Sequence, residues 1–380
     1  EVQRILSPIK EFIKDSRAVG LVLLVTTMIS MWLANSSLYK PVHNFLHQDY
    51  LYLKAVHLPS NHAAWINDFL MGFYFLLVGL EIKRAFLTGE LSNRKAAIAP
   101  ILAALGGMLL PALIYSIVTR NTPYSQGWGI PMATDIAFSL GVLSLLSKRI
   151  PISVKIFLMA LAIIDDLGGI IVIALFYSQT ITLSFLLLAL ALLFILWKWP
   201  HRLNNYVKII WSLGIWYCIH RAGIHGTIAG ILVAWCLPLS AAAYIEHKLH
   251  DFTSFIILPL FVFANTLLPI PSIASFLSFN TMQLGIIYGL TIGKPLGILL
   301  FLALGVRLGW CQLPQGANWK HLSQVGILAS IGFTISIFIS QLAFTSTASQ
   351  QAAILAIIVS FCISLICSFI VYQLLKLFTK

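Results

Sequence analysis

The sequence predicts an all-α polytopic membrane protein of about twelve transmembrane helices, and three observations predict it. Of 380 residues, 59% are hydrophobic and only 9% charged, with a mean hydropathy of +0.93. A soluble domain carries about 25% charged residues, so too little polar surface remains here to cover a water-facing sphere. The apolar residues recur in long runs, close to the ~20 residues that cross a hydrocarbon core. The basic residues lie in short clusters between those runs, the pattern that encodes membrane orientation. The net charge of +12 is therefore spread as orientation signals and does not point to nucleic acid.

The runs fall at 13–33, 63–82, 96–118, 126–147, 151–177, 181–199, 205–219, 224–239, 252–268, 284–306, 322–344 and 350–375. Twelve crossings fit one continuous transport domain over 1–380. With the N-terminus inside, nineteen of the 24 Lys and Arg gather on the cytoplasmic side, from Arg4, Lys10 and Lys14 through Lys83, Arg84, Lys148 and Arg149 to Lys376 and Lys380. Only Lys40, Lys54, Arg120 and Arg221 lie outside, and Lys294 stays within a span. One skipped span would scramble this bias, so twelve spans with both termini cytoplasmic are expected. The N-terminal stretch does not follow the cleaved-signal pattern.

The one long external connection is 34–62. Its run Tyr50-Leu51-Tyr52-Leu53-Lys54-Ala55-Val56 alternates weakly, which reads either as a strand in a short external hairpin, about 45–60, or as a plain surface loop. A hairpin edge would offer a pairing surface to a second subunit. Cys218, Cys236, Cys311, Cys362 and Cys367 are scattered without a metal spacing and read as packing residues.

Three acidic residues fall within spans: Asp135, Asp165 and Asp166. Asp165 lies about 21 Å along a helix from Pro151, well inside a ~30 Å hydrocarbon layer, and Lys294 sits midway along 284–306. A charge at the bilayer centre costs at least ~2.5–3.5 kcal/mol. One reading of these groups is an ion-pair network that fixes helix packing, with Asp135 capping a broken helix. The other is a site. Three carboxylates and one ammonium leave two negative charges, which call for a small cation or for protons. Carboxylate oxygens are hard ligands, and a protonated carboxyl no longer holds the ion. The repulsion between adjacent carboxylates is relieved when one takes a proton. Cation and proton then exclude one another from one site, which is exchange chemistry. Helix neighbours point about 100° apart, so convergence on one ion calls for local distortion; Gly168 and Gly169 would permit a bend or close packing.

The span holding Asp135 begins Gly127-Trp128-Gly129-Ile130-Pro131, which predicts an interrupted helix. The span at 322–344 is punctuated by Gly326 and Gly332, and its Thr334 and Phe338 echo Thr134 and Phe138. The triplets at about 96–177 and 284–375 run in opposite senses, each with its middle span interrupted. Such inverted-topology repeats point to a transporter's midplane site. Half-helix ends carry partial charges that Asp135 and Lys294 are placed in depth to offset.

The segments Ala133-Thr134-Asp135-Ile136-Ala137-Phe138, Lys155 through Asp165-Asp166-Leu167-Gly168, and Gly293-Lys294-Pro295-Leu296-Gly297 resemble the NhaA family of bacterial sodium/proton antiporters. So do Phe75 through Glu81 and Gly326 through Phe338, and the likeness runs through essentially the whole chain. The family is itself a standing example of inverted-repeat architecture. The resemblance implies a multi-pass bacterial inner-membrane protein with two interrupted, crossing helices and no cofactor, usually a homodimer through an external hairpin. It implies electrogenic exchange of cytoplasmic sodium or lithium for external protons by alternating access, in sodium and pH homeostasis. Asp165 and Asp166 then bind the ion and the proton, Thr134 and Asp135 mark the crossing, and Lys294 partners Asp165, either carrying a proton or only stabilising the structure. Glu81, Arg84, Glu246, His247 and His250 look like the family's cytoplasmic pH-responsive region, and His225 matches a histidine linked to pH response. Ala85 and Ala243 depart from that pattern, at positions commonly acidic and basic.

Two other classes have weaker support. An intramembrane aspartyl protease needs its acids on separate helices, commonly with Gly-x-Gly-Asp, whereas Asp165 and Asp166 are consecutive and Asp135 follows Ala-Thr. A channel calls for a pore built by symmetric subunits. A secondary transporter for another cation or an organic acid is the nearer alternative.

Overall fold

In the computed structural model, which describes residues 16–89, 91–146, 151–177, 181–200, 203–269 and 279–377, the described parts of the twelve apolar runs are largely helical. Chain order gives α1 (Ser16–Ala34), α2 (Tyr39–His47), α3 (Leu51–Ala55), α4 (His62–Leu87) and α5 (Arg94–Val118). A tight 3-10 segment (Ser125–Met132) precedes α6 (Ile136–Leu146), followed by α7 (Ile152–Phe176), α8 (Leu183–Lys198), α9 (Asn205–Arg221), α10 (Thr227–Cys236) and α11 (239–265). The last are α12 (Thr281–Arg307), α13 (Trp319–Ala329), α14 (Phe333–Ala343) and α15 (Thr347–Leu377). Among the described residues, α4, α5, α7, α12 and α15 are each long and apolar enough to cross a membrane alone. The chain is thus an all-helical, multi-pass membrane protein. Arg4, Lys10, Lys14, Lys148, Arg149, Arg202 and Lys380, part of the orientation signal, lie outside the described residues.

The expected hairpin at 45–60 is corrected: α2 and the single turn α3 occupy it, and no strand occurs among the described residues. An isolated two-stranded hairpin is marginal in water, and this segment satisfies its polar groups locally. Asp49 accepts hydrogen bonds from Lys54 (2.6 Å), Ser60 (2.6 Å) and Asn61 (3.2 Å), and the Tyr50 N–H reaches the Ser60 carbonyl at 2.8 Å. Those bonds pull Asp49 down from the ordinary 3.8 to about 2, the Lys54 hydrogen bond contributing most.

Helix starts follow their caps. Asn280 and Gln283 form a reciprocal capping box at α12, and the Asn318 side chain accepts from His321 N–H at the start of α13. One turn of π-helix interrupts α4 at Trp65–Leu70 and another interrupts α12 at Gly289–Gly293; such bulges recur at functional sites.

The chain packs as two compact units. Unit 1 contains 88–169, 271–380 and the N-terminal residues to Leu21, and unit 2 contains 22–87 and 170–270. In unit 1, α5 packs along α12 so closely that a Cβ on Gly106 or Gly297 would collide with the other residue's carbonyl. In unit 2, α4 packs along α10, and Leu80, Leu196, Ile219 and Ala234 form the fully buried centre of an apolar cluster shared with α8 and α9. Cys218 and Cys311 are buried as packing residues, whereas Cys362 and Cys367 on α15 are exposed.

Candidate ion-binding site

Two interrupted helices meet in unit 1. The backbone leaves the 3-10 segment after Met132, runs extended through Ala133 (φ −74°, ψ 152°), and re-enters helix at Ile136. Opposite it, α13 ends at Ala329 and α14 begins at Phe333, with a 43° bend between them. An 11-residue half-helix spans about 16 Å and cannot cross alone. The breaks therefore leave helix ends inside the protein, where orphan N–H and C=O groups need partners.

Asp135 supplies two of them. Its Oδ1 accepts from the Phe138 N–H (3.2 Å), and its Oδ2 accepts from the Thr334 N–H (3.1 Å) and hydroxyl (2.7 Å). One buried carboxylate thus caps α6 and α14 together, facing the positive ends of both. The Asp135 N–H donates to the Ile331 carbonyl at 2.6 Å. Serines add reciprocal bonds: Ser139 on α6 donates to the Leu328 carbonyl, and Ser336 on α14 donates to the Ile130 carbonyl, both at 2.8 Å. At the negative end, the Lys294 ammonium donates to the Met132 carbonyl.

The same ammonium lies 2.9 Å from Asp165 Oδ2, both side chains wholly buried. The Thr134 hydroxyl sits 2.6 Å from that oxygen and 2.8 Å from the Ala329 carbonyl. Asp165 Oδ1 is buried with no hydrogen-bond partner among the described residues. Asp166 is also buried, within electrostatic reach of Lys294. The helix carrying the pair is unbroken from Ile152 to Phe176, so the neighbours keep their different directions without distortion. Gly168 provides close packing rather than a bend: a Cβ there would strike the Met108 sulfur.

The residues expected to respond to pH lie in unit 2 and do not form one group. Arg84 pairs with Glu246 at 3.0 Å, and Glu81 lies within electrostatic reach of Glu246, His250 and Arg84. His247 is exposed, and His250 pairs with Asp251 at 3.3 Å on the surface. Ala85, at the commonly acidic position, is buried, whereas Ala243 is exposed. His225 belongs elsewhere, with Asp68 and His220.

Residues 10–372 match the family model described as Na+/H+ antiporter 1. The chain belongs to the NhaA family. It is 45% identical over 348 residues to the Na(+)/H(+) antiporter NhaA of Aeromonas hydrophila, covering 88% of this chain and 87% of the relative. It is 43% identical to those of Photorhabdus laumondii, over 348 residues, and Vibrio cholerae, over 347 residues, covering 88% of this chain and 89% of each relative.

In this NhaA-family chain, sequence reading missed Asp68 and His220. Asp68 sits near the start of its apolar run and His220 one residue past the end of its own, where charges are ordinary. The signal was their shared membrane level: the start of the second run, the end of the seventh and the start of the eighth all face the side assigned as external. Ser139 and Ser336 were also missed, because serine is common in packed membrane helices.

Proposed function

We propose that this chain is a secondary antiporter that exchanges sodium or lithium for protons, with both competing for Asp165 and Asp166. The observation that carries the reading is the state of Asp165. It is a fully buried carboxylate with one oxygen held by Lys294 and Thr134 and the other without a hydrogen-bond partner among the described residues. A structural ion pair satisfies its lone pairs; this one keeps a hard oxygen ligand available, with Asp166 next to it.

Thr134 suits a site that changes protonation. Its single hydroxyl proton faces two acceptors, Asp165 Oδ2 and the Ala329 carbonyl. With Asp165 ionised, the hydroxyl donates to the carboxylate. With a proton on Oδ2, that bond reverses and the hydroxyl donates to Ala329. Either state is satisfied without moving the backbone. Lys294 balances the ionised carboxylate and caps the 3-10 segment, so it is both a charge partner and a structural post. Asp135 holds the crossing and is not an ion ligand in this account, since its oxygens are spent on helix ends.

The finer architecture in this reading is twelve crossings with both termini cytoplasmic in a bacterial inner membrane. Inverted repeats at 96–177 and 284–375 are supported by the Ser139/Leu328 and Ser336/Ile130 reciprocity. We assign homodimer contact to the external 45–60 region, through helical rather than strand surfaces. More than one proton per sodium makes the exchange electrogenic. Glu81, Arg84, Glu246, His247 and His250 are assigned to the cytoplasmic pH response.

The test is transport in proteoliposomes with an imposed sodium gradient and an internal pH dye. Sodium- or lithium-dependent proton movement that shifts with membrane potential is expected. Proton movement indifferent to both cations would reject antiport, and a response confined to an organic acid would favour the related-transporter alternative.

A further inference from the structure

The 39–55 segment turns 110° away from α1, and α2 within it is anchored on one face. Leu46 is buried in an apolar cluster with Ala34, Ala63, Ala264 and Leu267, and Tyr39 and Val42 pack against the same cluster. His43 and His47, four residues apart, are neighbours on the helix surface beside that face. Their ring centroids lie 4.3 Å apart with planes 18° off parallel. His47 is exposed and His43 partly so. The His47 Nδ1 is 3.0 Å from the His43 carbonyl. A carbonyl only accepts, so in the neutral ring Nδ1 carries the hydrogen and Nε2 keeps its lone pair. Metal-ligating histidines are oriented in the same way, the second ring nitrogen donating to a backbone carbonyl or a carboxylate.

We propose that His43 and His47 form a surface site for a borderline divalent cation, Zn2+, Ni2+ or Cu2+, separate from the site of the transported ion. Imidazole nitrogen suits these metals, whereas sodium calls for hard oxygen ligands. Two histidines at this spacing on one helix face are what hold zinc in the His-Glu-x-x-His motif. Here the second position is Asn44, and among the described residues no third His, Cys, Asp or Glu joins the pair. Lacking that base and a third protein ligand, the site binds metal without the equipment of a hydrolase. Water completes the coordination sphere at this exposed position.

The surroundings leave the two rings as the ligands. Asp49, two residues past His47, is engaged by Lys54, Ser60 and Asn61. Lys40, one turn before His43, is exposed, and its long stem keeps the ammonium in solvent. A bound metal links successive turns of a nine-residue helix, which is too short to be stable alone. It therefore stiffens the entrance to the 45–60 region.

The test titrates Zn2+ alone into tag-free protein in a calorimeter, for the unaltered chain, His43→Gln, His47→Gln and the double variant. His62→Gln is the control, because that ring stacks on Phe45, 4.4 Å between centroids. One zinc per chain is expected. Loss of an outer-shell partner alone costs roughly 10–100-fold in metal affinity, so loss of either ligand is expected to weaken binding about tenfold or more. The double variant binds no more weakly than either single one, since the first substitution already breaks the chelate, and His62→Gln keeps the full affinity. With Cu2+, nitrogen hyperfine structure in the electron paramagnetic resonance spectrum should report two imidazoles in the unaltered protein and one in each single variant. No saturable zinc binding, or equal affinity in the double variant, would overturn the proposal. Should the variants fail to fold, the unaltered protein decides: zinc is expected to block acylation of His43 and His47 by diethyl pyrocarbonate, read by peptide mass, while exposed His57 still reacts. Equal acylation of all three with and without zinc would overturn the proposal. None of these readings involves transport, so a failure of antiport would leave the metal site standing.

Discussion

Unit 1 and unit 2 both bury ionisable groups, but they use them for opposite purposes. In unit 1, helices are broken and the charges answer the breaks: Asp135 caps α6 and α14, and Lys294 caps the 3-10 segment while pairing with Asp165. In unit 2, α4, interrupted only by its π-helical turn, packs along α10, and the ionisable groups lie towards the helix ends, as Asp68 with His220 and His225 and as Arg84 with Glu246. The difference teaches that depth alone does not identify an ion site. A buried charge spent on helix ends is structural, and one left with an open oxygen is chemical. Asp135 and Asp165 lie in the same unit and fall on either side of that line.

The largest effect expected from breaking this distinction is in transport. Asp165→Asn and Asp166→Asn should each reduce sodium-dependent exchange in proteoliposomes to background while leaving folded protein; full activity in either would remove that residue from the site. Next, Lys294→Gln leaves Asp165 buried and unpaired, a loss of about 3–5 kcal/mol. The Asp165→Asn/Lys294→Gln pair should recover much of it in a thermal-unfolding double-mutant cycle. Asp135→Ala removes caps from two helices at about 0.5–2 kcal/mol each, whereas Asp135→Asn, which retains an acceptor, should cost less; equal melting temperatures would deny the capping role.

Smaller effects belong to exposed groups. Asp49 holds its local hydrogen bonds as a carboxylate, and its value is depressed to about 2. Its contribution is therefore complete above the ordinary value of 3.8 and is lost as pH falls towards 2. Amide exchange at 50–61 should stay slow at pH 5 and quicken below pH 4 relative to the chemical rate, and Asp49→Asn should abolish that dependence. Smallest is Arg84→Ala. Its guanidinium side chain is 55% exposed, and such a pair contributes under about 1 kcal/mol, so any larger change must come through transport and not stability.

Much of unit 1 was legible because membrane burial makes charge expensive and therefore informative. Asp165, Asp166, Asp135 and Lys294 stood out by depth, and Gly127, Gly129 and Pro131 announced the first break. What could not be read was which oxygen faces which partner, since Asp135 and Asp165 cost the same to bury. The external 45–60 segment misled because weak alternation over seven residues does not outweigh local hydrogen bonding around Asp49. Asp68 and His220 escaped because charges near span ends are cheap, and only tertiary packing shows that Asp68 is enclosed.

The central claim is that sodium and protons compete for Asp165 and Asp166. It is tested most directly by calorimetric titration of sodium or lithium into the purified protein at several pH values in buffers of different ionisation enthalpy. The account predicts proton release on cation binding and an apparent affinity that weakens about tenfold for each unit of falling pH per proton displaced, with both effects absent in Asp165→Asn. Cation binding that releases no proton and keeps one affinity across pH would contradict it.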